Sequence, residues 1–236
     1  MGTCIITGAG TGIGRASAIN LASSPRYDSF VLLSLGMEDL KETERLMREQ
    51  AGDKKQILLY DQDITQHEVT RKIVDDVYNK FGSIDALLNI AGFAKECPFF
   101  ETSLELFKFT YEINVITMFN LTQAVTGYMK KSGGVVVNVA STSGTTPRPG
   151  WIAYASSKSA VIGFSRTLTQ ELAPYGIKVF NVSPGRCATA MRSGLCPDED
   201  NSSMMQPDAV GKIIASFANN PDNCIDGQDI IVRKLD

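Results

Sequence analysis

Tyr154 and Lys158 lie four residues apart, and Ser141 stands thirteen residues upstream of the tyrosine. Four residues is about one helical turn, so a helix puts the phenol and the ammonium on one face. A nearby cation favours the phenolate. That matters because a free tyrosine, with a pKa of about 10, is a poor base near neutrality. Bringing it near 7 takes roughly 4 kcal/mol of preferential stabilisation. Ser141 could then hold the oxygen of a carbonyl or alcohol while Tyr154 moves its proton. Tyr-x-x-x-Lys is common, and a half-buried tyrosine beside a solvated lysine is the competing reading. Other motifs must decide between them.

The elements that would position these residues follow from the hydrophobic pattern. Strand-like runs are predicted at 3–7, 30–34, 56–60, 86–89, 134–139, 178–182 and 229–232, with helix-like segments at 12–23, 38–50, 66–81, 104–131, 153–173 and 207–218. In the third helix Val69, Ile73, Val77 and Phe81 repeat at i+4 with charges between them. Near-continuous apolar strands alternating with helices imply an α/β fold. The expected form is a doubly wound, Rossmann-like parallel sheet of about seven strands with helices on both faces. No repeat or composition break divides the chain, so residues 1–236 are read as one dinucleotide-binding and catalytic domain. The stretch 192–206, rich in Gly, Pro, Asp, Asn and Ser, is expected to be a mobile surface loop beside a ligand site.

Composition narrows the function classes. A net charge of −3 offers no electrostatic reason to expect nucleic acid or an anionic membrane as partner. No apolar stretch approaches a membrane span, and the apolar run at Thr3-Cys-Ile-Ile6 is read as leaving no room for a signal peptide. A cytoplasmic setting is the expectation. Cys4, Cys97, Cys187, Cys196 and Cys224 are odd in number and scattered, so reduced thiols are expected rather than a disulfide framework or zinc site. Cys4 falls within a strand-like run and reads as core. His67 is the only histidine, which removes a His-based triad or a multi-histidine metal site. It reads as a solvated residue in the first turn of a helix, and no metal is expected.

Between the first strand and the first helix runs Thr7-Gly8-Ala-Gly10-Thr11-Gly12-Ile13-Gly14-Arg15. Glycines permit a tight turn and let backbone amides approach a pyrophosphate, and a helix N-terminus adds partial positive charge. The run is neither a regular G-x-G-x-x-G nor a Walker A loop, since no Lys-Ser/Thr follows. Its place after the first strand still points to nucleotide phosphate binding.

Together with this turn, Asn89-Ile-Ala-Gly92, Asn114, Ser141, Tyr154-x-x-x-Lys158 and Ser183-Pro-Gly185 occur in one order. In that order the chain resembles the single-domain short-chain dehydrogenase/reductases from Thr3 to about Val232. The resemblance implies an NAD(P)(H)-dependent oxidoreductase interconverting a secondary alcohol and a ketone by hydride transfer. It implies that Gly8, Thr11, Gly12, Ile13 and Gly14 shape the pyrophosphate site. Ser34, Asp63 and Ile64 would border the adenosine, Asp63 meeting the adenine amino group unless it is only a helix N-terminal acid. Asn89, Ala91 and Gly92 would shape the sheet edge and contact ribose, with a structural turn asparagine as the alternative for Asn89. Pro184, Gly185 and Thr189 would fix the nicotinamide carboxamide. Tyr154 would be the acid/base, Ser141 the substrate-oxygen partner, and Lys158 the ribose ligand that lowers the tyrosine pKa. Asn114 would anchor a water beside the lysine.

Several features leave questions open. After the second strand the chain reads Ser34-Leu35-Gly36-Met-Glu38-Asp39, with neither an acid for NAD nor an arginine for NADP at Leu35 and Gly36. Thr11 is uncharged where NADP-dependent relatives often carry a base. The choice between NAD and NADP stays open. Residues 95–100, 145–151 and 192–206 should border the pocket of a small alcohol or carbonyl substrate, with Trp151 either an apolar wall or plain packing. Arg148 and Arg192 either attract an anionic substrate or are simply solvated. After Gly227 the chain lacks the Gly-Gly often seen in acyl-carrier-protein reductases, which weakens that substrate. The apolar helices at 104–131 and 153–173 suit a homodimer or homotetramer. Two other functions are weighed: a non-catalytic dinucleotide sensor, and a sugar-nucleotide epimerase or dehydratase. Sensors tend to lose the tyrosine or lysine, both kept here, and epimerases usually carry a larger C-terminal domain.

Overall fold

The computed structural model describes residues 2–220 and 228–234. Cys224 and Gly227, both considered above, lie outside the described residues. Seven strands form one sheet: β1 (Gly2–Thr7), β2 (Tyr27–Ser34), β3 (Gln56–Asp61), β4 (Ala86–Asn89), β5 (Gly134–Val139), β6 (Ile177–Pro184) and β7 (Asp229–Val232). Their order is β3-β2-β1-β4-β5-β6-β7, and every neighbouring pair is parallel. The order reverses between β1 and β4, so the carboxyl ends of those strands open a crevice where ligands of such sheets bind.

The helices are α1 (Gly12–Ala22), α2 (Met37–Ala51), α3 (His67–Phe81), α4 (Leu104–Tyr111), α5 (Thr117–Met129), α6 (Ile152–Leu172), α7 (Ala190–Leu195) and α8 (Pro207–Asn219). Alternation within the strands divides the core. Cys4, Ile6, Phe30 and Leu32 pack with Leu21, Leu40, Met47, Val210 and Ile214 on one face. Ile5, Val31, Leu33 and Leu87 pack with Ile73, Val77, Leu121 and Val125 on the other. On the first face a Cβ at Gly211 of α8 would come within 2.8 Å of Ala16 Cβ, so only glycine allows these helices to meet so closely.

The sheet and its two helical layers agree with the sequence pattern, and three local expectations do not. The single helix expected at 104–131 is broken by a π turn over Glu112–Ile116, between α4 and α5. There Asn114 turns inward, its Oδ1 accepting from Phe93 N at 2.8 Å and its Nδ2 donating to Phe93 O at 2.9 Å. Widening by one residue is what π-bulges supply at such positions. The loop expected at 192–206 begins as helix α7, capped by Thr189 Oγ1 accepting from Arg192 N, and contains a 3-10 turn at Asn201–Ser203. His67 is half-buried rather than solvated, with Nε2 2.6 Å from Glu112 Oε1 on the π turn.

Candidate active site

A cavity of about 750 Å³ lies along the carboxyl ends of the central strands. One end is lined by Gly8, Thr11, Gly12, Ile13, Gly14, Ser34, Leu35, Asp63 and Ile64. Ala91 and Gly92 line its floor, and Ser141, Tyr154, Lys158, Pro184, Gly185 and Thr189 line the far half. Residues drawn from Gly8 to Glu199 thus face one space.

The glycine turn is set by close approach. Gly8 and Gly12 have φ of +65° and +53°, and a Cβ on Gly14 would stand 2.0 Å from Gly8 O. Thr11, the N-cap of α1, makes no side-chain cap, and the following residues line the cavity. First-turn amides left open at a helix N-terminus suit a phosphate. Thr7 Oγ1 braces the turn against the floor, accepting from Ile90 N at 3.0 Å and Ala91 N at 3.1 Å. These residues fit the pyrophosphate of a dinucleotide.

Tyr154 and Lys158 share one face of α6, and Ser141 stands at the exit of β5. Lys158 is buried and its Nζ donates to Val139 O at 2.9 Å. Burial alone pushes its ammonium down to about 8. The same Nζ lies 5.8 Å from the centroid of the Tyr154 ring, over its face. Burial raises the Tyr154 pKa, against which a side-chain hydrogen bond with Ser141 and the charge of Arg192 pull downward. Two cations thus stand near the phenol, Lys158 over its ring face and Arg192 pulling its pKa down.

Arg192 is half-buried and paired rather than simply solvated, and it joins a cluster beside the tyrosine. Its Nε donates to Glu199 Oε2 at 2.7 Å, and its guanidinium lies 5.7 Å from the centroid of Trp151. Trp151 meets Tyr154 edge-on, with centroids 5.9 Å apart. Trp151, Arg148, Arg186, Arg192, Glu96 and Glu199 all border the cavity beyond the tyrosine. Phe93, missed in the sequence, adds an apolar wall and packs edge-on to Phe109 at 5.0 Å.

Two expected site residues lie behind the wall. Asn89 is spent in the core, its Nδ2 donating to Asn138 Oδ1 at 2.8 Å and Thr122 Oγ1 at 3.0 Å. The Asn89 amide hydrogens are thus committed to bracing the core, because an amide buried between β4 and β5 must find partners there. Asn114 is fully buried. Its Nδ2 also donates to Ser157 Oγ at 2.9 Å, and that hydroxyl donates to Tyr154 O at 2.7 Å. With both amide hydrogens used, the second lone pair of Oδ1 remains to accept from a water. A Cβ on Gly92 would sit 3.3 Å from Asn114 Oδ1 and 3.5 Å from Lys158 Nζ, so the two groups share one corner. Asp63 Oδ1 accepts from Thr65 N at 2.9 Å and Thr65 Oγ1 at 2.8 Å while the residue lines the adenosine end.

Known proteins are similar to this chain in sequence and fold. The family described as short chain dehydrogenase matches residues 2–200, and the chain belongs to that family. It is 30% identical to a 3-oxoacyl-[acyl-carrier-protein] reductase of Thermotoga maritima over 96% of this chain and 94% of the relative. An NAD+-bound xylitol dehydrogenase superimposes with a TM-score of 0.85 at 27% identity, covering 98% of this chain and 97% of that one. A short chain dehydrogenase from Shigella flexneri 2a complexed with NADP superimposes with a TM-score of 0.85 at 26% identity, covering 97% and 95%. The chain is an oxidoreductase of this family, acting on a CH–OH or C=O group with NAD or NADP.

Proposed function

We propose that the chain interconverts a secondary alcohol and a ketone, with Tyr154 as the acid/base. The observation that carries this reading is the meeting of Ser141, Tyr154 and Lys158 on one wall of a cleft whose other end is the glycine turn. The bound dinucleotide supplies or accepts the hydride. Gly8, Thr11, Gly12, Ile13 and Gly14 would hold its pyrophosphate, and Ser34, Asp63 and Ile64 would border its adenosine. The floor at Ala91 and Gly92 approaches the ribose, and Pro184, Gly185 and Thr189 orient the nicotinamide end.

Ser141 orients the substrate oxygen by hydrogen bonding. Tyr154 gives its phenolic proton to that oxygen in reduction and takes one back in oxidation. The raised pKa keeps the phenol protonated and ready to donate. Lys158 binds ribose hydroxyls with the donors that Val139 O does not use, and Asn114 positions the lysine's corner and, through Ser157, the backbone of Tyr154. No step on these residues calls for a metal. The exposed apolar side chains Leu104, Ile116, Phe119 and Ile152 support a homodimer or homotetramer. Among the described residues, no helix is long and apolar enough to cross a membrane. The four described cysteines are unpaired, which supports a reducing, cytoplasmic setting, and the single seven-stranded sheet supports one catalytic unit spanning residues 1–236.

The test is a carbonyl screen on purified protein, following NADH and NADPH absorbance. Ketone-dependent oxidation of either cofactor supports the reading. Cofactor binding with no turnover of any ketone or secondary alcohol would move attention to a sensing role.

A further inference from the structure

The outer rim of the adenosine end is acidic, and its two helix N-termini are treated differently. At α1 no side chain caps the first turn. At α2 a carboxylate fills the equivalent place. Asp61, the last residue of β3, accepts from Gly36 N at 2.9 Å through Oδ1 and from Met37 N at 3.2 Å through Oδ2. Gly36 is the N-cap of α2, so these are the amides that would otherwise meet an anion beyond the end of β2.

A second carboxylate stands on the same rim. A Cβ on Gly10 would lie 3.2 Å from Asp39 Cβ and 3.0 Å from Ser34 Oγ, and a Cβ on Gly36 would lie 3.4 Å from Asp39 Oδ2. Asp39 is thus held between the glycine turn and the exit of β2, beside the Ser34 and Leu35 wall of the cavity. The cation nearest this rim is already committed. Arg15 Nη2 donates to Asp39 Oδ1 at 3.1 Å and Asp39 O at 3.2 Å, and its Nε donates to Thr43 Oγ1 at 3.1 Å. Lys41 Nζ is paired with Glu38 at 2.8 Å.

We infer that Asp61 and Asp39 make this chain select the dinucleotide that carries a free 2′-hydroxyl, NAD(H), over the one that carries a 2′-phosphate. A ribose hydroxyl can donate to a carboxylate at this rim. A dianionic phosphate would meet two carboxylates, with the Gly36 and Met37 amides already taken and Arg15 already paired. The inference rests on the cleft holding a nicotinamide dinucleotide, and it goes further by choosing between the two.

The experiment is titration of the full chain with NADH and NADPH, read by nicotinamide fluorescence, with 5′-AMP and 2′,5′-ADP as competitors. NADH should bind at least ~30-fold more tightly than NADPH, the scale expected when like charges are brought together on binding. 5′-AMP should compete better than 2′,5′-ADP. The Asp39→Asn, Asp61→Asn double variant should narrow that preference by at least ~10-fold through tighter NADPH binding. Asparagine at 61 keeps an oxygen for the Gly36 amide, and NADH binding to the variant reports that the rim still folds. Asp39→Asn alone removes one charge without touching the α2 amides and should give part of the change. Equal or tighter binding of NADPH by the unmodified chain overturns the inference while leaving the dinucleotide site intact. A preference for NADH that survives both substitutions overturns the roles of Asp39 and Asp61. Binding of neither dinucleotide overturns the site itself.

Discussion

At the β1–α1 turn the wall of the cleft is backbone: glycines at positive φ, uncapped helix amides, and a Gly14 that has no room for a Cβ. Over Tyr154 the wall is side chains: Arg192 joined to Glu199, its guanidinium over Trp151, and Trp151 edge-on to the tyrosine. Backbone cannot be exchanged one side chain at a time, so the first end suits a ligand common to many enzymes. Ion pairs and aromatics on loops can be exchanged singly, so the second suits a substrate that differs from one enzyme to the next. Tyr154 stands against the second wall, edge-on to Trp151 and under the charge of Arg192.

The sharpest way to break this contrast is a methyl group at each end. Gly14→Ala should cost at least about 3 kcal/mol of stability and abolish dinucleotide binding, because its Cβ overlaps the Gly8 carbonyl. Gly194→Ala in α7 has nothing within 4 Å of its Cβ and should be neutral or gain up to about 1 kcal/mol. Thermal melts with and without NADH compare them, and equal losses would show that α7 is packed as tightly as the turn.

Tyr154→Phe should lower turnover by about 10³-fold while leaving NADH affinity nearly unchanged, since only the proton donor is lost. Single-turnover rates beside fluorescence titration separate the two quantities. Near-normal turnover would remove Tyr154 from its role.

Lys158 tests the buried corner through pH. Its ammonium is held at about 8, below the ordinary value of 10.5, by burial. Between those values the unfolded chain binds a proton that the folded chain does not, so stability rises with pH across the window. The burden of the buried charge is present below about 8 and is about 3 kcal/mol. Lys158→Met should therefore lack this rise. The difference in unfolding free energy between wild type and variant should change in favour of the wild type from pH 8 to 10.5. A difference independent of pH would mean that the lysine is not buried as an ammonium.

The smallest effect is expected from Arg192→Leu. Arg192 pulls the Tyr154 pKa down, so its loss should move the acid limb of alcohol oxidation to higher pH. At a fixed pH below the midpoint the rate should fall a few-fold, as for a partly exposed charge. An unmoved limb, measured over pH 6–10, would detach Arg192 from the chemistry.

Much of the scaffold was legible because it repeats locally. Ile5 alternates with Cys4 and Ile6, Val77 follows Ile73 by one helical turn, and the predicted runs at 86–89, 134–139 and 229–232 match β4, β5 and β7. Where Asn114 interrupts the apolar stretch 104–131, the local pattern still read as one helix. Its demand for Phe93 and Ser157, 21 and 43 residues away, bends the chain into a π turn. The stretch 192–206 read as loop because its composition is that of loops, but the cap from Thr189 and the pair with Glu199 order its start.

The sequence by itself determined the alternation of strands and helices, the glycine turn, and the order of Ser141, Tyr154 and Lys158, since each is written in neighbouring residues or a short spacing. Only the tertiary structure decided that Asn89 braces the core, that His67 meets Glu112, that Arg192 stands over Trp151 beside the phenol, and that Asp61 closes the start of α2. Those outcomes depend on burial and on partners up to 49 residues apart, as in Asn89 with Asn138. Neither burial nor the meeting of distant polar groups has a local signature; both exist only once the sheet has brought its strand ends together.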